Sequence, residues 1–242
     1  MSSYLERKKR FLIMGSGGWW CPPNFDPDDC LAAYQFKGAG NEADSLIDLT
    51  GHGYTLTKTG DDLLIFNNDT GYTFNGRNRP LRNLHNSSVT GIKSVIVRYS
   101  DISGSIGQMA FSVQYHNFSS EGHEGAYHGL IGAYVSDRIF NGNFVTLGVW
   151  PENAEVWDRS AIFGHNIGSG AIPSEYFLNK EKKTPLYSGG FSGYSTGREP
   201  LFGNNNTSWG NLGSFRIQAG AFYKRWLTAE EMSHIHDQVA AL

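Results

Sequence analysis

The chain changes its hydrophobic period once, and late. Up to about residue 223, apolar and polar residues alternate in short runs that stop at glycine or asparagine. The closing segment AFYKRWLTAEEMSHIHDQVAAL then switches to helical spacing. In KSVIVRYS, Val95, Val97 and Tyr99 share one face. In QMAFSVQYH, Met109, Phe111, Val113 and Tyr115 take one face, and Ser112, Gln114 and His116 the other. Period two of this kind is the pattern of a half-buried strand. LAAYQFKG, SLIDLTGHGYTLTKTG (broken at Gly51, Gly53 and Gly60), GLIGAYVSD, NFVTLGVW and EVWDRSAIFG continue the series. Asn141-Gly142-Asn143 carries the Asn-Gly signal of a tight hairpin. Near the end, Phe215, Ile217, Ala219, Ala221 and Tyr223 are expected on one face, opposite Arg216, Gln218 and Lys224. Many short strands with no helical interval between them predict an all-β chain, folded as a two-sheet antiparallel sandwich.

The last segment carries its own start signals. Thr228 is a good N-cap, and Glu231 three residues on completes a capping box. Leu227 and Met232 occupy the two positions of a hydrophobic staple. Met232, Ile235 and Val239 fall on one helical face. A short helix joined directly to a strand is expected to cover an edge or end of the sandwich, where open backbone groups invite aggregation.

Residues 1–30 have no clean period. Arg7, Lys8, Lys9 and Arg10 lead into Gly15–Gly18, then Trp19 and Trp20, then Pro22, Pro23 and Pro27. They read as an extended arm, residues 1–30, ahead of a sandwich over residues 31–242. A disordered leader is the competing reading. It would leave two adjacent tryptophans in water, where each can bury ~150–250 Å². Trp19 and Trp20 are therefore expected to pack on this chain's own body or on a neighbouring protein.

Composition removes several function classes. The formal charge is only −3, with no basic stripe, so nucleic acid is not an expected partner. The apolar run FLIM is shorter than the ~7–15 residues of a signal-peptide core. No segment reaches the ~20 apolar residues of a membrane helix, and no membrane insertion is expected. Folding in a cytoplasm is the expectation. Cys21 and Cys30 can bridge, or stand as two thiols in a reducing compartment; so few cysteines favour thiols. The sequons at Asn68, Asn86, Asn117, Asn205 and Asn206 then read as products of Asn/Ser-rich loops.

FRIQAGAFYKRWL running into TAEEM resembles the close of concanavalin A-like, laminin-G-like jelly rolls. There an aromatic–basic–Leu strand end meets a Ser/Thr-Ala-Glu-Glu helix. LIDLTGHGYTLTKTG is similar to their opening, and PLFGNNNTSWG to their penultimate segment. The similarity covers about residues 31–242. The arm and LAAYQFKGAG look most like domains of bacteriophage and prophage virion proteins. The resemblance implies a tail, baseplate, fibre or head-decoration protein, assembled in the host bacterial cytoplasm. Its arm would hold other virion proteins, its sandwich would face outward, and it is expected to be a homo-oligomer in the particle.

Jelly-roll glucanases place acids at even spacing on one strand, and a glycosidase needs two carboxylates about 5–10 Å apart. In PENAEVWDRS, Glu152, Glu155 and Asp158 stand three apart, so successive acids point to opposite sides. Glu152 and Asp158 would share a face about 20 Å apart, which is too far. HEGAYH has one residue too many for a zincin helix and reads as a polar loop, with His116, His123 and His128 as a weaker metal alternative. Gly15-Ser-Gly-Gly lacks the Lys-Ser/Thr ending of a phosphate loop. Sugar binding fits better, because pyranose rings offer apolar C–H faces and polar rims to an aromatic platform with amides or carboxylates. The candidates are Trp209 beside Asn204, Asn205 and Asn206, and Trp150 or Trp157 with Asp158; Trp150 and Trp157 also read as core residues of paired strands. Calcium occurs in relatives, but no dense Asp/Asn run supports a metal here. No cofactor and no catalytic residue is assigned. The expected function is a non-enzymatic virion component that binds host-surface glycans. A glycan-active hydrolase and a ligand-free decoration protein are the alternatives.

Overall fold

The computed structural model of the chain describes residue 25 and residues 29–58, 64–75, 81–82, 92–103, 113–114, 118–119, 122–123, 125–131, 134–141, 143–150, 161–166, 175–183, 187–188, 201–202 and 214–242. Among these, the strands in chain order are β1 (Cys30–Gln35), β2 (Thr57–Lys58), β3 (Leu64–Asn67), β4 (Gly71–Asn75), β5 (Leu81–Arg82) and β6 (Ser94–Ser103). Next come β7 (Val113–Gln114), β8 (Phe118–Ser119), β9 (Gly122–His123), β10 (Gly125–Ile131), β11 (Tyr134–Asn141) and β12 (Asn143–Trp150). The series ends with β13 (Ala161–Asn166), β14 (Glu175–Leu178), β15 (Glu181–Lys183), β16 (Tyr187–Ser188), β17 (Leu201–Phe202) and β18 (Ser214–Tyr223). Two helices join them, α1 (Glu42–Ser45) and α2 (Ala229–Ala240).

All pairings among the described residues are antiparallel. The largest sheet runs β15-β14-β13-β6-β18-β4-β3. Its central strand, β18, has β6 along one edge. β4 and β1 share the other edge end to end: β4 pairs Ser214–Ile217, and β1 takes over at Ala219. A second sheet runs β2-β5-β17-β7, a third runs β10-β11-β12-β16, and β8 pairs with β9. β11 and β12 form the hairpin expected at Asn141-Gly142-Asn143, with Asn141 opposite Asn143.

The inner face of the large sheet carries Tyr34, Tyr72, Phe74, Val95, Val97, Tyr99, Phe215, Ile217 and Phe222. It packs on Leu81 of β5 and Phe202 of β17 in the second sheet, giving an all-β sandwich. The Phe202 ring meets Phe36 edge-on at 5.2 Å and Tyr34 at 5.6 Å, and Phe74 stacks on Phe215 at 4.6 Å. The expected grouping of Val95, Val97 and Tyr99 on one face holds.

The outer face of the same sheet is covered over part of its area by α2. Met232, Ile235 and Val239 are buried against Ile96, Ile162, Phe177, Ala33, Ala219 and Ala221. Small residues make this seat. A methyl group at Gly164 would lie 2.6 Å from Met232 Sδ. The capping box is formed as expected: Glu231 N donates to Thr228 Oγ1 at 3.2 Å, and Thr228 N donates to Glu231 Oε2 at 2.8 Å. The staple residues Leu227 and Met232 sit in one buried cluster. At the far end, Arg98 Nη1 on β6 donates to Val239 O at 2.7 Å and Ala240 O at 3.3 Å. Val239 O also accepts from Leu242 N at 3.2 Å, and a cation suits the negative end of the helix dipole.

The ionisable groups around α2 bias it against acid. Hydrogen bonds from Arg225 hold the Glu231 carboxyl below its usual range. Burial pushes the Glu175 carboxyl up, but bonds from Lys182 and Asn166 bring it net below its ordinary value. Burial lowers His236, as do the nearby Lys180 and Arg98 charges, against the pull of Asp237. Each folded pKa lies below its unfolded value, so each contribution is present above the unfolded pKa and lost as pH falls through the folded one. Stability should therefore decline below the ordinary His value of 6.5, and again below the ordinary Glu value of 4.5. A urea midpoint followed from pH 7 downward checks this. His236→Gln should flatten only the first step, and an unchanged first step would refute the assignment to His236.

Three expectations need correction. β18 does not keep its odd-numbered residues on one face. Phe215 and Ile217 lie in the inner core, whereas Ala219, Ala221 and Tyr223 lie under α2, because the register slips between Ile217 and Ala219. HEGAYH is not a loop: His123 ends β9 and His128 lies within β10, because β11 supplies backbone partners along Gly125–Ile131. GLIGAYVSD forms parts of two paired strands, β10 and β11.

Candidate functional site

The outer face of the large sheet is polar where α2 leaves it uncovered, and two β-bulges build that polarity. A bulge opposes two residues to one, bends the strand and re-aims a side chain. On β18 the extra residue is Gln218, between Ile217 (opposite Tyr99) and Ala219 (opposite Arg98). It lies where β4 ends and β1 begins along the same edge. Its carbonyl accepts Phe36 N at 2.9 Å and Lys37 N at 3.0 Å, the first amides past β1. Gly71 opens β4 at φ +87°, and a Cβ there would lie 2.3 Å from Ile217 O. Only glycine fits against the bulge at that point.

The second slip, between Ser214 and Arg216 on β18, falls opposite Ser100–Ser103 of β6. There Asp101 adopts φ +52°, a left-handed conformation that Asp tolerates better than most residues. The carboxylate reaches the neighbouring strand. Asp101 Oδ2 accepts from Arg216 Nη1 at 2.7 Å and from Ser100 Oγ at 2.9 Å. Arg216 Nε donates to Thr73 Oγ1 of β4 at 3.2 Å. Gln218 Nε2 lies 3.4 Å from Ser100 Oγ, while its buried Oε1 has no partner among the described residues.

Direct cross-strand pairing aligns these groups. Ile65 of β3 opposes Thr73, Thr73 opposes Arg216, and Arg216 opposes Ser100. Ile65 is 52% exposed, the one large hydrophobic so exposed among the described residues. The Arg216 and Asp101 side chains are 37% and 59% exposed. The result is a lateral row, apolar at one end and charged at the other, that runs from the edge strand β3 across β4 and β18 to β6.

Two other polar clusters are structural. Asp48, 4% exposed, accepts from Ala33 N, Thr50 N and Thr50 Oγ1 through Oδ1, and from Tyr54 N through Oδ2. It ties the turn after α1 to β1. His52 Nδ1 lies 2.8 Å from Thr50 Oγ1 and 2.9 Å from Leu31 O. A carbonyl only accepts, so Nδ1 carries the proton and cannot take one from Thr50. That rules out the threonine–imidazole pairing of an activated nucleophile. Near α1, Glu42 Oε1 accepts from Tyr72 Oη at 3.2 Å and pairs with Lys58 at 3.3 Å, and burial raises the Tyr72 phenol well above its ordinary value.

Asn204, Asn205, Asn206, Trp209, Trp157 and Asp158 lie outside the described residues, as do Glu152, Glu155, Trp19, Trp20 and His116. Among the described residues, no three His, Cys, Asp or Glu side chains group as metal ligands, and no helix is long and apolar enough to cross a membrane. Arg216, Asp101, Gln218, Ser100, Thr73 and Ile65 were not singled out in the sequence as a site. The available signal was Arg216 and Gln218 inside the otherwise apolar run FRIQAGAFY.

No protein-family model and no curated protein matches the chain. Solved structures do. The receptor-binding domain of botulinum neurotoxin D is similar with a TM-score of 0.58 at 12% identity, over 86% of this chain and 52% of that one. The serotype D ligand-binding domain in complex with N-acetylneuraminic acid gives 0.58 at 10% identity, over 86% and 50%. The serotype G binding domain gives 0.53 at 11% identity, again over 86% and 50%. The chain spans about half the length of these domains. At such identities the likeness establishes a shared β-sandwich fold.

Proposed function

We propose that this chain is a non-enzymatic, glycan-binding β-sandwich of the concanavalin A-like jelly-roll type, carried by a bacteriophage virion. The observation that carries the reading is the fold shared with receptor-binding domains, one of them in complex with N-acetylneuraminic acid. A sandwich of this kind holds sugar contacts on a rigid frame, with loops adding adaptable groups. Asn204, Asn205, Asn206 and Trp209, with Trp157 and Asp158, are the groups proposed to face glycan. No metal or cofactor enters this reading.

The virion part rests on the resemblance of the strand-to-helix closure and the arm. Residues 1–30, with Trp19 and Trp20, attach the domain to other virion proteins, and the protein acts as a homo-oligomer in the particle, assembled in the host bacterial cytoplasm.

Screening the full chain on a glycan array is the test, and saturable binding to a defined sugar class is expected. Removing residues 1–24, short of the buried Phe25 and of β1, should leave that binding intact and abolish incorporation into particles. An array without a single saturable hit would leave a ligand-free decoration protein as the better description. Release of reducing sugar from a bound glycan would make the chain an enzyme.

A further inference from the structure

We propose that the outer-face row formed by Ile65, Thr73, Arg216, Ser100 and Asp101 is a second glycan subsite, selective for a neutral vicinal diol over a carboxylated sugar. This rests on the glycan-binding reading and adds to it a place and a chemical class.

The first support is spacing. Ile65, Thr73, Arg216 and Ser100 are direct neighbours across four strands, so they span three inter-strand steps. At about 4.8 Å per step the row is about 14 Å long, enough for two pyranose rings. Its apolar end, Ile65, is exposed and can take a C–H face.

The second support is hydrogen-bonding capacity. Arg216 uses Nε on Thr73 and Nη1 on Asp101, which leaves Nη2 without a partner among the described residues. Asp101 uses Oδ2 on Arg216 and Ser100, which leaves Oδ1 in the same position. A hydroxyl donates and accepts, so one of a vicinal pair can donate to Asp101 Oδ1 while its neighbour accepts from Arg216 Nη2. Gln218, 8% exposed with Oε1 unpaired among the described residues, lies beside Ser100 under the same row. The charge balance sets the selectivity. Arg216 and Asp101 cancel, and Arg98, two residues before Ser100 on β6, is committed to the carbonyls ending α2. At this compensated pair a sugar carboxylate would face Asp101, whereas a neutral diol supplies one donor and one acceptor.

The test is a backbone amide titration of the full chain with methyl β-galactopyranoside, methyl α-mannopyranoside and N-acetylneuraminic acid. At least one neutral glycoside should shift the amides of Thr73, Ser100, Asp101 and Arg216 saturably, and N-acetylneuraminic acid at least tenfold more weakly. Asp101→Asn keeps size and tolerance of the left-handed backbone, and Arg216→Lys keeps charge. Each should weaken binding at this row at least tenfold, with the remaining amide spectrum unchanged. Neutral glycosides that leave these amides unmoved, full binding by both variants, or a preference for the acidic sugar would each overturn the proposal. If array binding persists in Asp101→Asn while the row stays silent, the subsite is wrong and the glycan-binding reading stands. If the wild-type chain binds no glycan in either experiment, both fall.

Discussion

Replacing Asn166 by leucine should destabilise the chain by about 2–4 kcal/mol while changing side-chain volume little. Asn166 is fully buried at the end of β13, and its amide is used on both sides. Nδ2 donates to Leu227 O at 2.7 Å and to Glu175 Oε2 at 3.0 Å. Oδ1 accepts Leu227 N at 3.1 Å and the Ser94 hydroxyl at 2.5 Å. Leu227 is the staple residue immediately before α2, so this one amide fastens the strand-to-helix junction to the sheet. Leucine would leave the buried Leu227 carbonyl without its donor and Glu175 short of one. Each buried polar group left unpaired costs roughly 1–3 kcal/mol. Ser94 limits the loss, since its hydroxyl also lies 2.8 Å from Arg225 O and 3.2 Å from Leu227 N. Urea unfolding measures the change. A shift under about 0.5 kcal/mol, the usual size for a substitution away from any such feature, would mean that the junction is held by α2 packing alone.

What was legible in the sequence was local. Thr228, Glu231, Leu227 and Met232 lie within six residues, and the cap they announce forms as expected. Val95, Val97 and Tyr99 alternate within a continuous strand, and their shared face follows. The bulge at Gln218 was not legible, because its cause is not in β18. It arises where β4 and β1 meet on that strand's edge, and those strands come from residues far earlier in the chain. Reading parity straight through it moved Ala219, Ala221 and Tyr223 to the wrong face. Asp101 escaped notice for the same reason: its meaning depends on Arg216, 115 residues away. Asn166 likewise acts on Leu227, 61 residues on. Runs rich in Asn and Trp read as sugar sites because composition marks them, whereas a polar row made by register slips leaves almost no compositional trace.

Gly71→Ala should be the most damaging single methyl addition on this sheet, at about 2–4 kcal/mol. Two costs combine. The residue sits at φ +87°, where a non-glycine residue is strained by roughly 1–2 kcal/mol. The new Cβ would also lie 2.3 Å from Ile217 O and 3.1 Å from Gln218 Cα, both backbone atoms held by strand pairing. Gly53→Ala separates the two effects, since Gly53 has φ +86° but no atom within 4 Å of a Cβ. It should cost only the conformational term, about 1–2 kcal/mol. The excess in Gly71→Ala is the strength of the clamp on the bulge. Relief of the clash must move Ile217 or Gln218 and so disturb Arg216, the preceding residue but one; amide shifts at Ser100, Asp101 and Arg216 should accompany the stability loss in Gly71→Ala and be missing in Gly53→Ala. Equal losses in the two variants, with Arg216 undisturbed, would show that β4 yields freely at its first residue. The bulge would then be a soft feature, and the row beside it would not be rigid enough to discriminate between sugars.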